Sequence, residues 1–205
     1  MIAVIDYDAG NIKSVEKALQ FLKQEAVVTR DEKEILKADG VILPGVGAFG
    51  DACARLKKYG LVSVIHKAVN EERKPFLGIC LGLQLLFEGS EESGGVEGLS
   101  LLKGRILRIP EETALPVPHI GWNSLRFPRK SRLFQGIHED AYVYFVHSFY
   151  LKAEEEAVVA ARTEYGVSID AAVEKENLFA CQFHPEKSST VGLSILGNFC
   201  GLCAH

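Results

Sequence analysis

The sequence predicts a three-layer α/β domain in which a central mixed, mostly parallel sheet is flanked by helices. Three observations support this fold class. Strands and amphipathic helices alternate over the first 88 residues, strand candidates lie close together after residue 140, and the composition is that of a globular protein. The chain has 205 residues, of which 47% are hydrophobic and 24% charged, so we expect one domain, residues 1–205.

The charge and apolar pattern exclude several classes of partner. A formal net charge of −4 at pH 7 gives no reason to expect nucleic acid or an anionic membrane as a partner. No apolar stretch approaches the roughly 18 residues of a membrane span, and the first residues lead into a strand rather than a signal peptide. We therefore expect a cytoplasmic protein with reduced thiols, and Cys200 and Cys203 are predicted to belong to a terminal helix rather than to a zinc or redox motif.

The first half of the chain carries the alternation of strands and helices. Residues 1–6 are apolar up to an acidic end and are predicted to form a first, central strand. Asn11 is predicted to cap a helix in which Val15 and Leu19 share one face. Further strands are predicted at 26–29, 40–43 and 75–79, and helices at 32–37, 49–59 and 61–69.

The second half is richer in glycine and proline, and its strands are predicted to be partly antiparallel. These strands are predicted at 104–109, 142–149, 157–161, 171–173 and 179–183. Ser189 or Thr190 is predicted to cap a final helix that buries Ile195 and Phe199. No repeat, low-complexity segment or linker divides the chain, which favours a single domain.

A nucleophile elbow is predicted at Cys80, between the strand at 75–79 and the helix that follows. Gly78 and Gly82 stand two residues before and after Cys80, and glycines at these positions let a strand turn sharply into a helix. At such a helix start, the free N–H groups and the dipole favour a thiolate, which is the nucleophilic form of cysteine. A buried, unreactive cysteine in a tight turn is the alternative interpretation of this segment alone.

A glycine-rich segment, Gly45-Val46-Gly47-Ala-Phe-Gly50, matches the dinucleotide-binding pattern G-x-G-x-x-G. It follows the third strand rather than the first, and no acidic residue ends the next strand, where one would bind ribose. A non-catalytic nucleotide-binding module is therefore the weaker interpretation. The same segment can instead supply a backbone N–H to an oxyanion, and elbow geometry makes the N–H of Leu81 the second donor.

A base and an acid that can serve Cys80 occur together in Gln182-Phe-His184-Pro-Glu186. In an extended chain, residues two apart face the same side, so His184 and Glu186 are predicted to point one way from one strand. A cysteine nucleophile requires a histidine within hydrogen-bond reach and an acid that orients it. His147, which lies inside an apolar stretch, is predicted to be a satisfied core histidine.

The motifs Gly78-Ile-Cys80-Leu-Gly-Leu-Gln84 and Gln182-Phe-His184-Pro-Glu186 resemble the two signatures of class I, triad-type glutamine amidotransferases. The resemblance implies a flavodoxin-like fold, with Cys80 as nucleophile, His184 as general base and then acid, and Glu186 as the residue that orients the imidazole. It implies no metal and no organic cofactor. It also implies an oxyanion- and glutamine-binding region formed by Val46, Gly47, Leu81, Gln84, Ser148 and Phe149.

Three further stretches resemble the glutaminase subunits of imidazole glycerol phosphate synthases, which act in histidine biosynthesis: Pro44-Gly-Val-Gly-Ala-Phe-Gly50, Pro118-His-Ile-Gly-Trp-Asn123 and Tyr144-Phe-Val-His-Ser148. This resemblance implies a heterodimer with a (βα)8-barrel cyclase subunit. The cyclase uses ammonia from glutamine to form imidazole glycerol phosphate and aminoimidazole carboxamide ribonucleotide. The partner interface is implied at Trp122, Asn123, Tyr144 and Lys187.

Two further points follow from this resemblance. In the family, the oxyanion strand rests with a carbonyl turned into the site and flips to present an N–H, and glycines on either side of Val46 suit such a flip. Asp8-Ala9 departs from the glycine-rich pair that is commoner in the family. A glutaminase subunit for another synthase, such as that of anthranilate, aminodeoxychorismate or pyridoxal phosphate, is the alternative.

Overall fold

In the computed structural model, which describes residues 1–113 and 115–204, strands and helices alternate along the first half of the chain. The strands are β1 (Ile2–Ile5), β2 (Ala26–Thr29), β3 (Gly40–Leu43), β4 (Phe76–Ile79), β5 (Gly89–Ser90), β6 (Gly104–Arg108), β7 (His119–Ser124), β8 (Tyr142–His147), β9 (Phe149–Ala153), β10 (Val159–Glu164), β11 (Ser168–Lys175) and β12 (Leu178–Cys181). The α-helices are α1 (Ile12–Phe21), α2 (Glu32–Lys37), α3 (Phe49–Lys58), α4 (Leu61–His66), α5 (Leu81–Leu85) and α6 (Ser189–Leu202).

A seven-stranded sheet in the order β10-β11-β12-β4-β3-β1-β2 runs through the molecule. The strands from β12 to β2 are parallel, whereas β10 and β11 join antiparallel at one side. The predicted mixed, mostly parallel sheet is therefore confirmed. The prediction that the first strand is central is wrong, because β12 and its antiparallel neighbours add beyond β4 and make β4 the middle strand.

Helices cover both faces of this sheet and complete the three predicted layers. Alternate residues of β1 enter different hydrophobic layers, as the two-residue period of a strand requires. Ala3 and Ile5 pack in the layer that contains residues of α2 to α5, and Ile2 and Val4 pack in the layer that contains residues of α1 and α6. Every residue of β1, β3, β4 and β12 is buried, so the sheet core is a rigid platform for the loops at its ends.

Several predicted elements differ from the observed ones in ways that affect the site. The predicted strand 142–149 is two strands, β8 and β9, because the chain bends at Ser148. The glycine- and proline-rich stretch contains β7, which the sequence did not predict and which pairs antiparallel with β8. The side chain of Asn11 does not cap α1, and Ser188 rather than Ser189 or Thr190 precedes α6.

The remaining elements form two small sheets, β5-β6-β9 and β7-β8, outside the main one. The loops after β3, β4 and β12 leave the same edge of the parallel sheet, where carboxyl ends of neighbouring strands meet. These loops carry the glycine-rich segment, Cys80 and His184. Among the helices of the described residues, none is long and apolar enough to cross a membrane.

Candidate active site

Cys80 lies at the turn between β4 and α5 and has a left-handed φ of 55° with ψ −109°. A non-glycine residue rarely adopts this conformation, and a strained residue of this kind is typical of a nucleophile elbow. The flanking glycines are required by close backbone contacts. A Cβ on Gly82 would lie 1.9 Å from the carbonyl oxygen of Leu43, and one on Gly78 would lie 2.7 Å from that of Gly82.

His184 and Glu186 form a fully buried pair, with His184 Nδ1 2.8 Å from Glu186 Oε1. They are not on a strand as predicted, because β12 ends at Cys181 and residues Pro185–Lys187 form a 3-10 turn. The turn still brings both side chains together. Ser188 holds it, since its hydroxyl donates to the carbonyl of His184 at 2.6 Å.

The surroundings of His184 favour the imidazolium form. Burial alone lowers the pKa of His184, but the Cys80 and Glu186 side chains outweigh burial and raise the pKa to about 10. Nδ1 is held by Glu186, whereas Nε2 is buried without a hydrogen-bond partner among the described residues. Nε2 is therefore the nitrogen that is left to exchange a proton with Cys80 or a substrate.

Asn11 joins this group although the sequence placed it at a helix cap. Its Nδ2 donates to Glu186 Oε1 at 3.2 Å, and Asn11 is buried beside the triad carboxylate. Glu186 Oε1 thus receives two donors, one from the imidazole and one from a neutral amide. No sequence signal links positions 11 and 186, because they are far apart in the chain and Asn11 also fits the pattern of a cap.

A cavity of about 330 Å³ opens beside Cys80, within the size range of small-molecule sites. The oxyanion- and substrate-side residues predicted from the sequence all line it: Val46, Gly47, Leu81, Gln84, Ser148 and Phe149. A larger groove of about 640 Å³ shares no lining residue with it, and Arg132 there is paired with Glu174. In the described part of the chain, no three His, Cys, Asp or Glu side chains are grouped so that they can hold a metal ion.

Glu92 also lines the cavity, although the sequence did not predict it. One carboxylate oxygen accepts the backbone N–H of Phe49 at 2.7 Å, which fixes the side chain at the cavity wall. The sequence offers little to distinguish Glu92, since it lies in a loop with several other glutamates. A fixed carboxylate in a small cavity is a suitable acceptor for an ammonium group.

The predicted oxyanion donor Leu81 is occupied in this structure. Its N–H donates to the carbonyl of Gly45 at 3.2 Å. In a trans peptide the N–H of Val46 points opposite to this carbonyl, so rotation of the Gly45–Val46 peptide would free one donor and present another. Gly47 has φ 101°, which suits glycine, and a Cβ there would meet nothing within 4 Å, so the segment has space to move.

The residues predicted at a partner interface lie on the hairpin β7–β8 and next to the triad. Trp122 is 52% exposed, and its ring contacts Tyr144 opposite it on β8, with 6.1 Å between centroids. The Tyr144 carbonyl accepts the N–H of His184 at 2.9 Å, which ties the hairpin to the triad. Lys187 is exposed in the 3-10 turn, and the Asn123 amide donates to the carbonyl of Glu164 at 2.9 Å.

This combination of fold and elbow is that of an amide-hydrolysing domain, and comparison with known proteins agrees. The family model described as "Glutamine amidotransferase class-I" matches residues 3–201. The chain therefore belongs to the class I glutamine amidotransferase family, as its two motifs predicted, and it is a glutamine amidotransferase.

Within this family the chain is similar over its whole length to proteins named "Imidazole glycerol phosphate synthase subunit HisH". It is 53% identical to the one from Moorella thermoacetica over 204 residues, which are 100% of this chain and 96% of that protein. It is 51% identical to the one from Geobacter metallireducens over 203 residues, covering 97% of this chain and 96% of the relative.

Solved structures share the fold at low sequence identity. One described as a glutamine amidotransferase has a TM-score of 0.78 at 20% identity, with 100% of both chains covered. A putative GMP synthase component from Thermoplasma acidophilum has a TM-score of 0.72 at 19% identity, covering 99% of this chain and 93% of that one. These matches support the three-layer architecture independently of the relatives.

Proposed function

We propose that this chain is the glutaminase subunit of imidazole glycerol phosphate synthase in histidine biosynthesis. It hydrolyses glutamine to glutamate and ammonia and passes the ammonia to a cyclase subunit. The observation that carries the proposal is the convergence of Cys80, His184 and Glu186 beside a small cavity, in a chain 53% identical to a named subunit of that synthase.

The first half-reaction uses the charge distribution of the triad. The Cys80 thiolate attacks the carboxamide carbon of glutamine, and the carbonyl oxygen becomes an oxyanion. Rotation of the Gly45–Val46 peptide supplies the N–H groups of Val46 and Leu81 to this oxyanion. Nε2–H of His184 then protonates the departing nitrogen, and ammonia leaves as the carbon–nitrogen bond breaks.

The second half-reaction restores the enzyme. His184, now neutral, removes a proton from water, and the resulting hydroxide attacks the γ-glutamyl thioester. The carbon–sulfur bond breaks, glutamate leaves, and the thiolate–imidazolium pair forms again. Glu186 keeps Nδ1 of His184 protonated in both steps, because its carboxylate is buried and bonded to that nitrogen.

The cavity has groups that match both ends of free glutamine. The Glu92 carboxylate is placed to accept the substrate's α-ammonium group. The Gln84 amide donates to the Phe149 carbonyl at 3.2 Å and to Gln182 Oε1 at 3.1 Å, so Gln84 holds the cavity wall beside Ser148 and Phe149. These contacts leave the wall's backbone to orient the substrate over Cys80.

The partner in this proposal is a (βα)8-barrel cyclase that docks over the hairpin β7–β8 and forms a heterodimer with this single-domain chain. Trp122, Asn123, Tyr144 and Lys187 supply the interface, because all four lie on the hairpin or the turn beside His184. Free ammonia is mostly protonated at neutral pH, so direct transfer to a docked cyclase keeps it reactive. The complex is proposed to act in the cytoplasm.

Substitution of Cys80 tests the proposal. Cys80→Ala is expected to abolish glutamine-dependent synthesis in the complex, because no other residue that lines the cavity carries a thiol to form the thioester. Synthesis driven by an added ammonium salt should continue, since the cyclase is unchanged. Both rates are measured by product formation, with Cys53→Ala as a control because Cys53 is a buried thiol on α3, away from the cavity.

Two results would contradict the proposal. Glutamine-dependent turnover by Cys80→Ala would exclude Cys80 as the nucleophile. Activation of glutamine hydrolysis by the partner of a different synthase, but not by a (βα)8-barrel cyclase, would identify another member of the family.

A further inference from the structure

Two buried histidines outside the triad, His119 and His147, are bonded directly to each other. They are opposite residues on β7 and β8, and His119 Nδ1 lies 3.0 Å from His147 Nε2. The His119 ring stacks on the rings of Phe145 and Tyr165, with centroid distances of 4.8 and 3.9 Å. His147 is a satisfied buried histidine as expected, but it also lines the cavity beside Cys80.

The hydrogen bonds of this pair have one direction. The carbonyl oxygen of Phe149 only accepts, so His147 Nδ1, 2.8 Å away, carries a proton. Burial lowers the pKa of His147 to about 3 and that of His119 to about 4, so each ring is neutral and has a single N–H. His147 Nε2 is therefore an acceptor, and the proton between the rings belongs to His119 Nδ1.

The outer end of the pair reaches the hairpin face. With its proton on Nδ1, His119 accepts at Nε2, and the Asn123 amide nitrogen lies 3.5 Å away. The orientation of that amide is fixed on both sides, because its nitrogen donates to the Glu164 carbonyl and its oxygen accepts the N–H of Ser124 at 2.8 Å. Asn123 follows the exposed Trp122 on the same strand.

The inner end holds the wall of the cavity. The Phe149 carbonyl accepts from His147 and also from Gln84 at 3.2 Å, so both of its lone pairs are used. The preceding carbonyl, that of Ser148, accepts the N–H of Ile109 at 2.9 Å. Two successive peptides at the bend between β8 and β9 are thus fixed by groups behind the cavity wall.

We propose that His119 and His147 are positioning residues for glutamine binding, and that they connect the substrate-binding wall at Ser148–Phe149 to Asn123 on the hairpin face. The identity of the ligand rests on the proposed function, whereas the hydrogen-bond chain does not. Loss of the His119 N–H leaves a buried acceptor on His147 without a partner, and the His147 ring then no longer holds the Phe149 carbonyl in place.

The tautomers test the chain of bonds without reference to activity. Imidazole ¹⁵N chemical shifts of the whole protein at neutral pH are expected to show the proton on Nδ1 of both His119 and His147. Free histidine prefers the other tautomer, so packing alone would not produce this result at both rings. A proton on Nε2 of either ring would overturn the proposal.

Two substitutions at His119 test the effect on the substrate. His119→Phe keeps a flat ring between its neighbours but removes the N–H, so KM for glutamine in the complex should rise about tenfold with little change in kcat. His119→Asn carries an amide nitrogen in the place of Nδ1, so it should restore KM to near the unsubstituted value. Ammonium-dependent synthesis should be unchanged in both variants.

The outcomes separate this inference from the proposed function. An unchanged KM in His119→Phe, or a KM in His119→Asn as high as that in His119→Phe, would overturn the inference alone. A complex of the unsubstituted chain with the cyclase that turns over no glutamine would overturn the proposed function, and with it the identity of the ligand.

Discussion

The proton of His184 is controlled by groups on three different parts of the chain. Cys80 comes from the elbow after β4, Glu186 from the turn after β12, and Asn11 from the start of α1. The carboxylate of Glu186 is bonded through Oε1, whereas its Oε2 and the Oδ1 of Asn11 have no hydrogen-bond partner among the described residues. A buried carboxylate with few donors depends strongly on each one that it has.

Asn11 is therefore predicted to contribute to the rate of glutamine hydrolysis. A hydrogen bond to a charged group contributes about 1.5–3 kcal/mol, so Asn11→Ala should lower kcat in the complex by about tenfold or more while KM changes little. The experiment is steady-state kinetics with glutamine as the varied substrate. Because the Asn11 side chain caps no helix N–H, the melting temperature should be nearly unchanged. A large loss of stability with normal kcat would contradict this role.

The residues of the site differ in how far the sequence could predict them. Cys80, His184 and Glu186 belong to short motifs, so local spacing was sufficient to select them as candidates. Asn11 and Glu92 reach the site through tertiary contacts that no local pattern records. His147 was assigned to the core because burial predicts its environment, but the sequence does not show which atom its second nitrogen contacts.

At the scale of secondary structure, the elbow depends on two glycines that are required for different reasons. Gly78 lets β4 pass close to the first turn of α5, and Gly82 lets α5 pass close to the end of β3. The sequence predicted this element because G-x-C-x-G is a local pattern. The bounds of β2, α2 and β3 were likewise predicted correctly, since each is a short segment with clear ends.

Substitution of Gly82 is predicted to disrupt both the fold and the elbow. Its added Cβ would meet the backbone of Leu43 rather than a side chain that can rotate, so Gly82→Ala should lower the free energy of unfolding by about 3 kcal/mol or more. Gly197 on α6 is the matched control, because a Cβ there meets nothing within 4 Å. Gly197→Ala should raise the free energy of unfolding by about 0.5–1 kcal/mol. Urea denaturation measures both, and equal effects would contradict the close approach of α5 to β3.

Over the whole molecule, the position of each strand depended on parts of the chain that come much later. The first strand was predicted to be central because it is buried on both faces, but β3 and β1 are as buried as the true middle strand β4. Burial therefore reports coverage by helices and not order in the sheet. The bend at Ser148 and the turn at Pro185 were missed because both segments have strand-like sequences on either side.

The distribution of exposed aromatic side chains over the molecule predicts where the partner binds. Trp122 lies on the hairpin beside the triad, at the edge of the sheet where β4 and β12 end. Phe21 is even more exposed, at 73%, but it ends α1 and therefore lies at the opposite edge of the sheet. A partner that receives ammonia must cover the first edge and leave the second free.

Trp122→Ala is therefore predicted to weaken binding of the cyclase by about 30-fold, which corresponds to the loss of roughly 2 kcal/mol that is usual for a central interface aromatic. The free energy of unfolding of the isolated chain should hardly change, because half of the Trp122 surface is already in water. Phe21→Ala is the control and should leave the affinity unaltered. Isothermal titration calorimetry of each variant with the cyclase measures the difference. If both substitutions weaken binding equally, or if only Phe21→Ala does, the docking surface is not the hairpin β7–β8, and ammonia released at Cys80 would have to reach the cyclase by another route.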